Sequence, residues 1–329
     1  MASGPYTICK FGKGFKPMRI LITGGAGYIG SALVPRLLAE GHLVTVVDNF
    51  MYNQSTLLQH CMSSNFEVIR GDVSNSEFLD RLIYENEFEL IIPLACLTGA
   101  PLCSYNPDYA YSVILKSITW LVNQEANKNV KIIYPTTNSG YGIGSAEMCT
   151  EVSPLNPISL YGKLKCDAEK VILSKGNSVS LRLATAFGVS PRMRLDLLVN
   201  DFVYKAVNER ALVLFEGNFR RNFIHVQDIC SAIQHTIRNW ESMKDNIYNV
   251  GLSSANLTKR QLAEKIKFYL PKTEIFESST GEDPDKRDYV VSNAKLEKAG
   301  WSPGYDLDDG IQELIKAYQI IKRNQHANI

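Results

Sequence analysis

No apolar run in the 329-residue chain is longer than about eight residues, as in Leu90 to Leu97, and a bilayer-spanning helix takes about 20. A membrane partner is therefore not expected. Charge of one sign is also missing: 35 Lys and Arg face 34 Asp and Glu, a formal net charge of +1. That balance argues against nucleic acid or an anionic lipid surface as a partner. The seven cysteines are an odd number at scattered positions, with no Cys-x-x-Cys pair. Zinc ribbons and disulfide scaffolds are excluded on that count, and a reducing cytoplasm is the expected compartment. The five histidines lie far apart without metal-ligand spacing, so no metal is expected. Met1 to Pro17 lacks the apolar stretch of a signal peptide and reads as an ordered arm, a flexible lead, or an upstream start before Met18. What remains is an ordinary globular composition, 45% hydrophobic and 21% charged, long enough for one large or two small domains.

The first half alternates β-branched runs with amphipathic stretches. Strands are predicted at Arg19–Thr23, Leu43–Asp48, Phe66–Arg70, Glu89–Pro93, Val130–Tyr134 and Ser178–Leu183. Helices are predicted at Ile29–Glu40, Ser55–Ser63, Ser76–Tyr84, Tyr105–Glu125 and Ser159–Ser174. This rhythm predicts an α/β fold of the Rossmann type, a doubly wound parallel sheet covered on both faces. After Leu183 the rhythm breaks into helices at Leu197–Asn208, Gln227–Asn239, Thr258–Tyr269 and Leu307–Arg323, with short strands near Val213–Phe215 and Ile247–Val250. The expected organisation is a short extension over 1–17, a dinucleotide domain over 18–183, and a smaller α/β lobe over 184–329, partly interleaved with the first.

Directly after the first strand comes Thr23-Gly24-Gly25-Ala26-Gly27-Tyr28-Ile29-Gly30, opening into a helix. Glycines at 24, 27 and 30 form a variant of the dinucleotide fingerprint: the early ones permit a tight turn and close approach of backbone to pyrophosphate, and Gly30 lets the helix pack on the sheet. Asp48 closes the next strand, 18 residues past Gly30. An acid there accepts from a ribose 2′-hydroxyl and repels a 2′-phosphate, which favours NAD over NADP. Gly71-Asp72-Val73 ends the third strand and either places Asp72 by the adenine amino group or is a plain turn.

Tyr161 and Lys165 stand four residues apart, on one face of a predicted helix after the fifth strand. Tyr6/Lys10 and Tyr318/Lys322 share that spacing, but only Tyr161 follows the strand whose carboxyl edge holds a ligand. A phenol near pKa ~10 is a poor base at neutral pH. A nearby ammonium and a positive nicotinamide ring both favour phenolate, which could then take a hydroxyl proton while NAD takes the hydride. In Pro135-Thr136-Thr137-Asn138-Ser139-Gly140-Tyr141-Gly142, Thr137 is chosen to hydrogen-bond the reacting oxygen. His225, between Ile224 and Val226, reads as a core histidine rather than a catalyst.

These residues resemble the extended short-chain dehydrogenase/reductase family, specifically its nucleotide-sugar epimerases, dehydratases and reductases, from about Met18 to Arg323. The resemblance continues in Phe219–Asp228, similar to the family's Arg-Asp-Phe-Ile-His-Val-Asp-Asp segment. It implies a cofactor site made of Gly24, Gly27, Tyr28, Ile29, Gly30, Asp48, Asn49, Asp72, Val73, Leu94 and Ala95 with Tyr161 and Lys165. It further implies that Arg221 binds the diphosphate of a nucleoside-diphosphate sugar. By residue type alone, Arg220 and Arg221 read as a solvated pair. The helices around Tyr105–Glu125 and Ser159–Ser174 pair across a dimer axis in the family, so a homodimer or higher homo-oligomer is expected.

Departures from the family pattern narrow the reaction. The 4,6-dehydratases carry Asp-Glu after the threonine where this chain has Asn138-Ser139, so no acid is placed to expel water. No cysteine stands within two residues of Thr137, which disfavours epimerisation beside a ketone. Redox at C4 remains, as a 4-dehydrogenase or a 4-epimerase. Five segments resemble the GDP-heptose 4-dehydrogenases of bacterial capsule pathways: Pro135–Gly144, Ala184–Asp201, Phe219–Asp228, Gly251–Ala263 and Gly281–Asn293. That resemblance implies that Arg192, Arg194, Asn200 and Arg287 line the nucleotide pocket and that the substrate is a GDP-linked heptose or hexose. With Thr98, which replaces a lysine of some epimerases, Asn138, Ser139 and Arg221 they make up the expected substrate site. Inter-lobe ion pairs are the alternative use of Arg192, Arg194 and Arg287.

Overall fold

The structure, a computed structural model, describes residues 16–143, 148–278 and 287–321. Residues 1–15 of the N-terminal extension, the Gly144 end of one resembling segment, residues 281–286 of another, and the Lys322-Arg323 helix end lie outside the described residues.

Six strands form where the sequence predicts them: β1 (Arg19–Thr23), β2 (Leu43–Asp48), β3 (Phe66–Arg70), β4 (Leu90–Pro93), β5 (Lys131–Thr137) and β6 (Ser178–Leu183). The second half adds β7 (Thr185–Phe187), β8 (Ala211–Leu214), β9 (Arg220–His225), β10 (Asn246–Val250), β11 (Asn256–Thr258) and β12 (Glu274–Glu277). Seven strands make one parallel sheet in the order β10-β6-β5-β4-β1-β2-β3. The fold is thus Rossmann-like, with β10 crossing from the second half of the chain to pair with β6. The remaining strands form a three-stranded sheet, β11-β9-β7, and a β12-β8 pair.

Burial on both faces explains the continuous apolar runs. On β1, Ile20 and Ile22 face a core shared with Leu33 and Leu37 of the helix Tyr28–Ala39 and Ile229 and Ile233 of Val226–Arg238. Leu21 points the other way, into a core with Leu79, Leu82, Ile118 and Ile172 from the helices Ser76–Glu85, Ser117–Asn123 and Leu160–Lys175. The period-two alternation of side chains sends neighbouring residues to opposite faces.

Three predicted helices differ. Ser55–Ser63 holds only a single tight turn at Leu58–His60, none of it buried, and the segment docks through the one buried Leu57. Within the predicted Tyr105–Glu125, Tyr105 ends a separate helix, Ala100–Tyr105, and after this break the chain stays helical from Pro107 to Asn123, with one wide turn at Ser112–Lys116. The cause is Asn106-Pro107: proline has no N–H to continue the first helix, and the Asn106 side chain accepts from Tyr109 N at 3.3 Å to cap the next. The last described helix ends at Ala317, short of the predicted Arg323.

Candidate active site

The carboxyl ends of β1 to β6 open onto a cleft of about 280 Å³, which reaches into the loops of the second half. At its centre is the point where strand order reverses, between β1 and β4. Gly24, at φ +70°, turns the chain there, and a Cβ on it would lie 2.5 Å from Ala95 N. Gly30 packs the helix against the loop so closely that a Cβ would sit 2.5 Å from Gly25 Cα and O. The helix Tyr28–Ala39 starts at this loop with its N-terminus in the cleft lining, where unpaired N–H groups suit a pyrophosphate. A Gly30→Ala variant is therefore expected to lose about 1–3 kcal/mol of stability and most of its NAD affinity. Thermal melting with and without NAD checks it; an unchanged NAD-induced shift would show the loop to be looser than described.

Asp48 Oδ2 accepts from Ala26 N at 3.0 Å, and Oδ1 accepts from Phe50 N at 2.9 Å and Gln54 Nε2 at 3.1 Å. Of the roughly four lone-pair sites of a carboxylate, three are used, leaving one for a ribose hydroxyl. Burial pushes the Asp48 carboxyl above its ordinary value, with the hydrogen bonds opposing. Asp72 also lines the cleft, and its Oδ2 accepts from Asn49 Nδ2 at 2.9 Å and from the Tyr109 hydroxyl at 2.5 Å. Burial raises this carboxyl, but those donors and Ser74 outweigh it and hold it below the usual range.

At the other end, Thr137 closes β5 and its Oγ1 lies 2.8 Å from Ser139 Oγ, while Ser139 N donates to Thr137 Oγ1 at 3.1 Å. Ser159 caps the helix Leu160–Lys175 by accepting from Gly162 N at 3.1 Å, which holds Tyr161 in its first turn, facing the cleft. Among the described residues nothing hydrogen-bonds the Tyr161 hydroxyl. Its phenol is pushed up, first by burial and then by the Cys96 and Cys103 thiols, and is pulled down by the Arg194 and Arg287 guanidiniums. The sequence reading expected Lys165 to do the lowering. Its ammonium donates to Pro135 O at 2.6 Å and sits 4.1 Å from the Tyr134 ring centroid, and burial lowers its own pKa.

The residues expected around the substrate separate into two groups. Thr98, Ser139, Arg192, Arg194 and Arg287 line the cleft. Arg194 Nη1 donates to Thr98 Oγ1 at 2.7 Å, and Arg287 Nη1 donates to Ser139 Oγ. Arg192 lies at the Asp48 end, its guanidinium 4.7 Å from the Tyr52 ring centroid. Asn138, Asn200 and Arg221 are buried outside the cleft lining. Asn200 Oδ1 accepts from Gly188 N at 3.0 Å and its amide donates to Arg194 O at 2.9 Å, so it shapes the arginine loop from behind. Arg221 Nη1 donates to Arg220 O at 3.0 Å, and its guanidinium faces the Tyr289 ring at 6.0 Å. Sequence reasoning missed Tyr52, Gln54, Cys96 and Tyr109 in the lining, since none sits in a spacing that marks it. His225 is core: Nε2 is 2.9 Å from Glu313 Oε2 and the ring stacks on Tyr305.

A profile of the NAD dependent epimerase/dehydratase family matches residues 20–251. The chain belongs to that family. Its cofactor is NAD, and the Gly24–Gly30 cradle and the Asp48 carboxylate fit the group. UDP-glucuronic acid decarboxylase 1 of Arabidopsis thaliana is 29% identical over 322 residues, covering 94% of this chain and 71% of that protein. The crystal structure of dTDP-glucose 4,6-dehydratase from Bacillus anthracis, in complex with NAD, is 26% identical with a TM-score of 0.78, covering 92% of this chain and 96% of that one. Pal from Bacillus thuringiensis shares the epimerase/dehydratase fold at a TM-score of 0.83 and 22% identity, covering 93% of this chain and 100% of that one. The chain is thus an NAD-dependent enzyme of a family acting on nucleotide sugars. No helix among the described residues is long and apolar enough to cross a membrane.

Proposed function

We propose that the protein oxidises the C4 hydroxyl of a nucleoside-diphosphate sugar. The observation that carries this reading is the placement of Thr137 and Tyr161 at one end of the cleft, with the glycine cradle and Asp48 at the other. Tyr161 Oη takes the hydroxyl proton, and Thr137 hydrogen-bonds the same oxygen. Bound NAD supplies the acceptor for the hydride that leaves the carbinol carbon. Lys165, a buried cation whose ammonium donates to the Pro135 carbonyl of β5, is the residue assigned to hold the nicotinamide ribose. Arg194 and Arg287 stabilise the phenolate that Tyr161 must become, and hold the anionic nucleotide part of the substrate.

The absence of an acid beside Thr137, with Asn138 and Ser139 in its place, supports release or re-reduction of the ketone over dehydration. The five resembling segments make a GDP-linked heptose or hexose the first substrate to try. A second reading is a UDP-linked uronic acid, favoured by the named relatives and by the guanidiniums near Tyr161. Oxidation at C4 would place a ketone β to its carboxylate and allow loss of carbon dioxide. Incubation with GDP-heptose, GDP-hexose, UDP-hexose and UDP-glucuronic acid, followed by mass analysis, separates these outcomes. A product lighter by two hydrogens marks a dehydrogenase, one of equal mass and new stereochemistry a 4-epimerase, and one lighter by carbon dioxide a decarboxylase. If every sugar emerges unchanged, the C4 reading falls.

The exposed Tyr105 and Tyr111, beside the helix Leu160–Lys175, support pairing of two copies through this face. Asp48→Ala should weaken NAD by about 10–100-fold, the ~1.5–3 kcal/mol of a hydrogen bond to a charged group, and should leave NADP little changed. Titration of both nucleotides checks this; an unaltered preference would remove Asp48 from the ribose.

A further inference from the structure

Ser139 is buried, and among the described residues its hydroxyl has two partners, Arg287 Nη1 and Thr137 Oγ1. A guanidinium carries donors only, so Ser139 Oγ must accept from Arg287. The Ser139 proton then has one acceptor left within reach, Thr137 Oγ1 at 2.8 Å. A buried hydroxyl donor left without an acceptor is costly, so this one is used. Thr137 Oγ1 also accepts from Ser139 N at 3.1 Å, which fills both of its lone pairs. Its own proton is then the one valence of the threonine hydroxyl still unassigned. The chain of hydrogen bonds therefore runs in one direction, from Arg287 through Ser139 to Thr137.

Arg287 reaches this position from far along the chain, and the structure holds it there. Residues 143 and 149 form parallel bridges with 288 and 291, which brings the arginine alongside the turn Asn138–Tyr141. Arg287 Nη1 also donates to the Tyr289 hydroxyl at 3.3 Å, and the buried Tyr289 packs edge-on against Tyr141 of that same turn, with ring centroids 6.2 Å apart.

We infer that Ser139 and Arg287 are positioning residues that make Thr137 an obligate hydrogen-bond donor to the reacting oxygen. The inference rests on the reading that Thr137 and Tyr161 flank that oxygen. A Thr137 with no free lone pair cannot take the sugar's proton, so Tyr161 is its sole destination. The same donor stabilises the carbonyl oxygen as the ketone forms, and the electrophilic side of the reaction is thereby separated from the basic side. This arrangement also gives Ser139 a use in a position where dehydratases place an acid.

The test compares Ser139→Ala, Ser139→Thr, Arg287→Lys, Arg287→Met and Tyr161→Phe in the NAD-loaded enzyme. The readouts are hydride-transfer rate, KM, and affinity for the 4-ketosugar nucleotide by calorimetry. Ser139→Ala should lower kcat by about tenfold or more, short of the ~100–1,000-fold that loss of a direct oxyanion donor costs, with KM unchanged. It should also weaken the ketosugar while leaving the free nucleoside diphosphate alone. Ser139→Thr and Arg287→Lys, which keep the hydroxyl and the cationic donor, should recover most of the rate. Arg287→Met should lower kcat as well, with a higher KM and a rate profile shifted to higher pH, because Arg287 also holds the nucleotide and lowers the Tyr161 phenol. If Ser139→Ala does not fold, a kcat loss in Arg287→Met that persists at high pH and that Arg287→Lys recovers serves in its place. Parental kcat in Ser139→Ala and Arg287→Met, with Tyr161→Phe still inactive, would overturn the relay and leave the C4 reading standing. A rise in KM alone would make Ser139 a substrate contact and also overturn it. Full turnover in all five variants would overturn both.

Discussion

Replacing Tyr161 by Phe is expected to cut turnover by about 100–10,000-fold, the usual contribution of a positioned acid–base group, without loss of NAD binding. The ring stays, so the first turn of the helix capped by Ser159 keeps its packing, and only the oxygen that receives the proton is lost. The effect is large because the cleft offers no substitute. Thr137 is engaged with Ser139, and the Cys96 and Cys103 thiols are raised by burial, Cys103 to about 12. The phenol itself is pushed up by burial in the cleft, so its proton-accepting form depends on cations. Arg194 and Arg287 lower it, and charge-removing variants of either should move the alkaline-favoured limb of the rate profile to higher pH. Measured kcat in Tyr161→Phe near the parental value would remove the residue from the chemistry.

Glu169→Ala should destabilise the fold by about 3–5 kcal/mol, the cost of stranding a buried charge. Glu169, on the helix that carries Tyr161, accepts from Arg182 Nη2 at 2.6 Å and Arg182 Nε at 3.1 Å, and from Ser180 Oγ at 2.6 Å. Both members of the ion pair are almost fully enclosed, with side-chain exposures of 5% and 3%. Arg182 Nη1 also donates to the Tyr141 hydroxyl and to Glu151 O, each at 3.1 Å, which ties the pair to the turn that bears Ser139. An apolar pair, Glu169→Leu with Arg182→Met, should recover most of the stability, since a matched hydrophobic replacement removes the stranded charge. It should not recover full activity, because the tether to Tyr141 is gone. Chemical denaturation of the single and double variants checks this. A single-variant loss under about 1 kcal/mol would mean that water reaches Arg182.

The two predictions mark what the sequence exposes and what it hides. The apolar runs that became β1 and β4 were legible because strands buried on both faces are apolar along their length, whereas the exposed edge strand β3 shows only through its β-branched Val68 and Ile69. The glycine cradle was legible because only glycine fits φ +70° at position 24 and the backbone approach at 30. By contrast, β9 reads Arg-Arg-Asn-Phe-Ile-His, a mixed run whose burial comes from β7, β11 and the final helix rather than from its own pattern. The helix break at Asn106 was written in the residues, as a cap followed by proline, yet the apolar periodicity on either side masks it.

Side-chain partnerships were the least legible part of the site. Tyr161 and Lys165 are close in sequence, but the lysine's hydrogen bond goes to the Pro135 carbonyl. Arg287 is 148 residues from Ser139, and parallel bridges near 143 and 149, with the Arg220–Asp288 pair, hold its segment there. Arg192 and Arg194 are two residues apart, yet the loop sends one toward Asp48 and Tyr52 and the other to Thr98. No spacing rule separates those destinations.

The central claim is that hydride leaves C4 of the sugar, and isotope transfer tests it most directly. A nucleoside-diphosphate sugar carrying deuterium at C4 alone is incubated with the NAD-loaded protein and quenched in organic solvent, and the released nicotinamide is examined by mass spectrometry. The account predicts deuterium on the reduced nicotinamide in the parent protein and none in Tyr161→Phe. A product lighter by two hydrogens that keeps its C4 deuterium would contradict it and would place the chemistry at another carbon, whereas a re-reduced product regains the label from the cofactor.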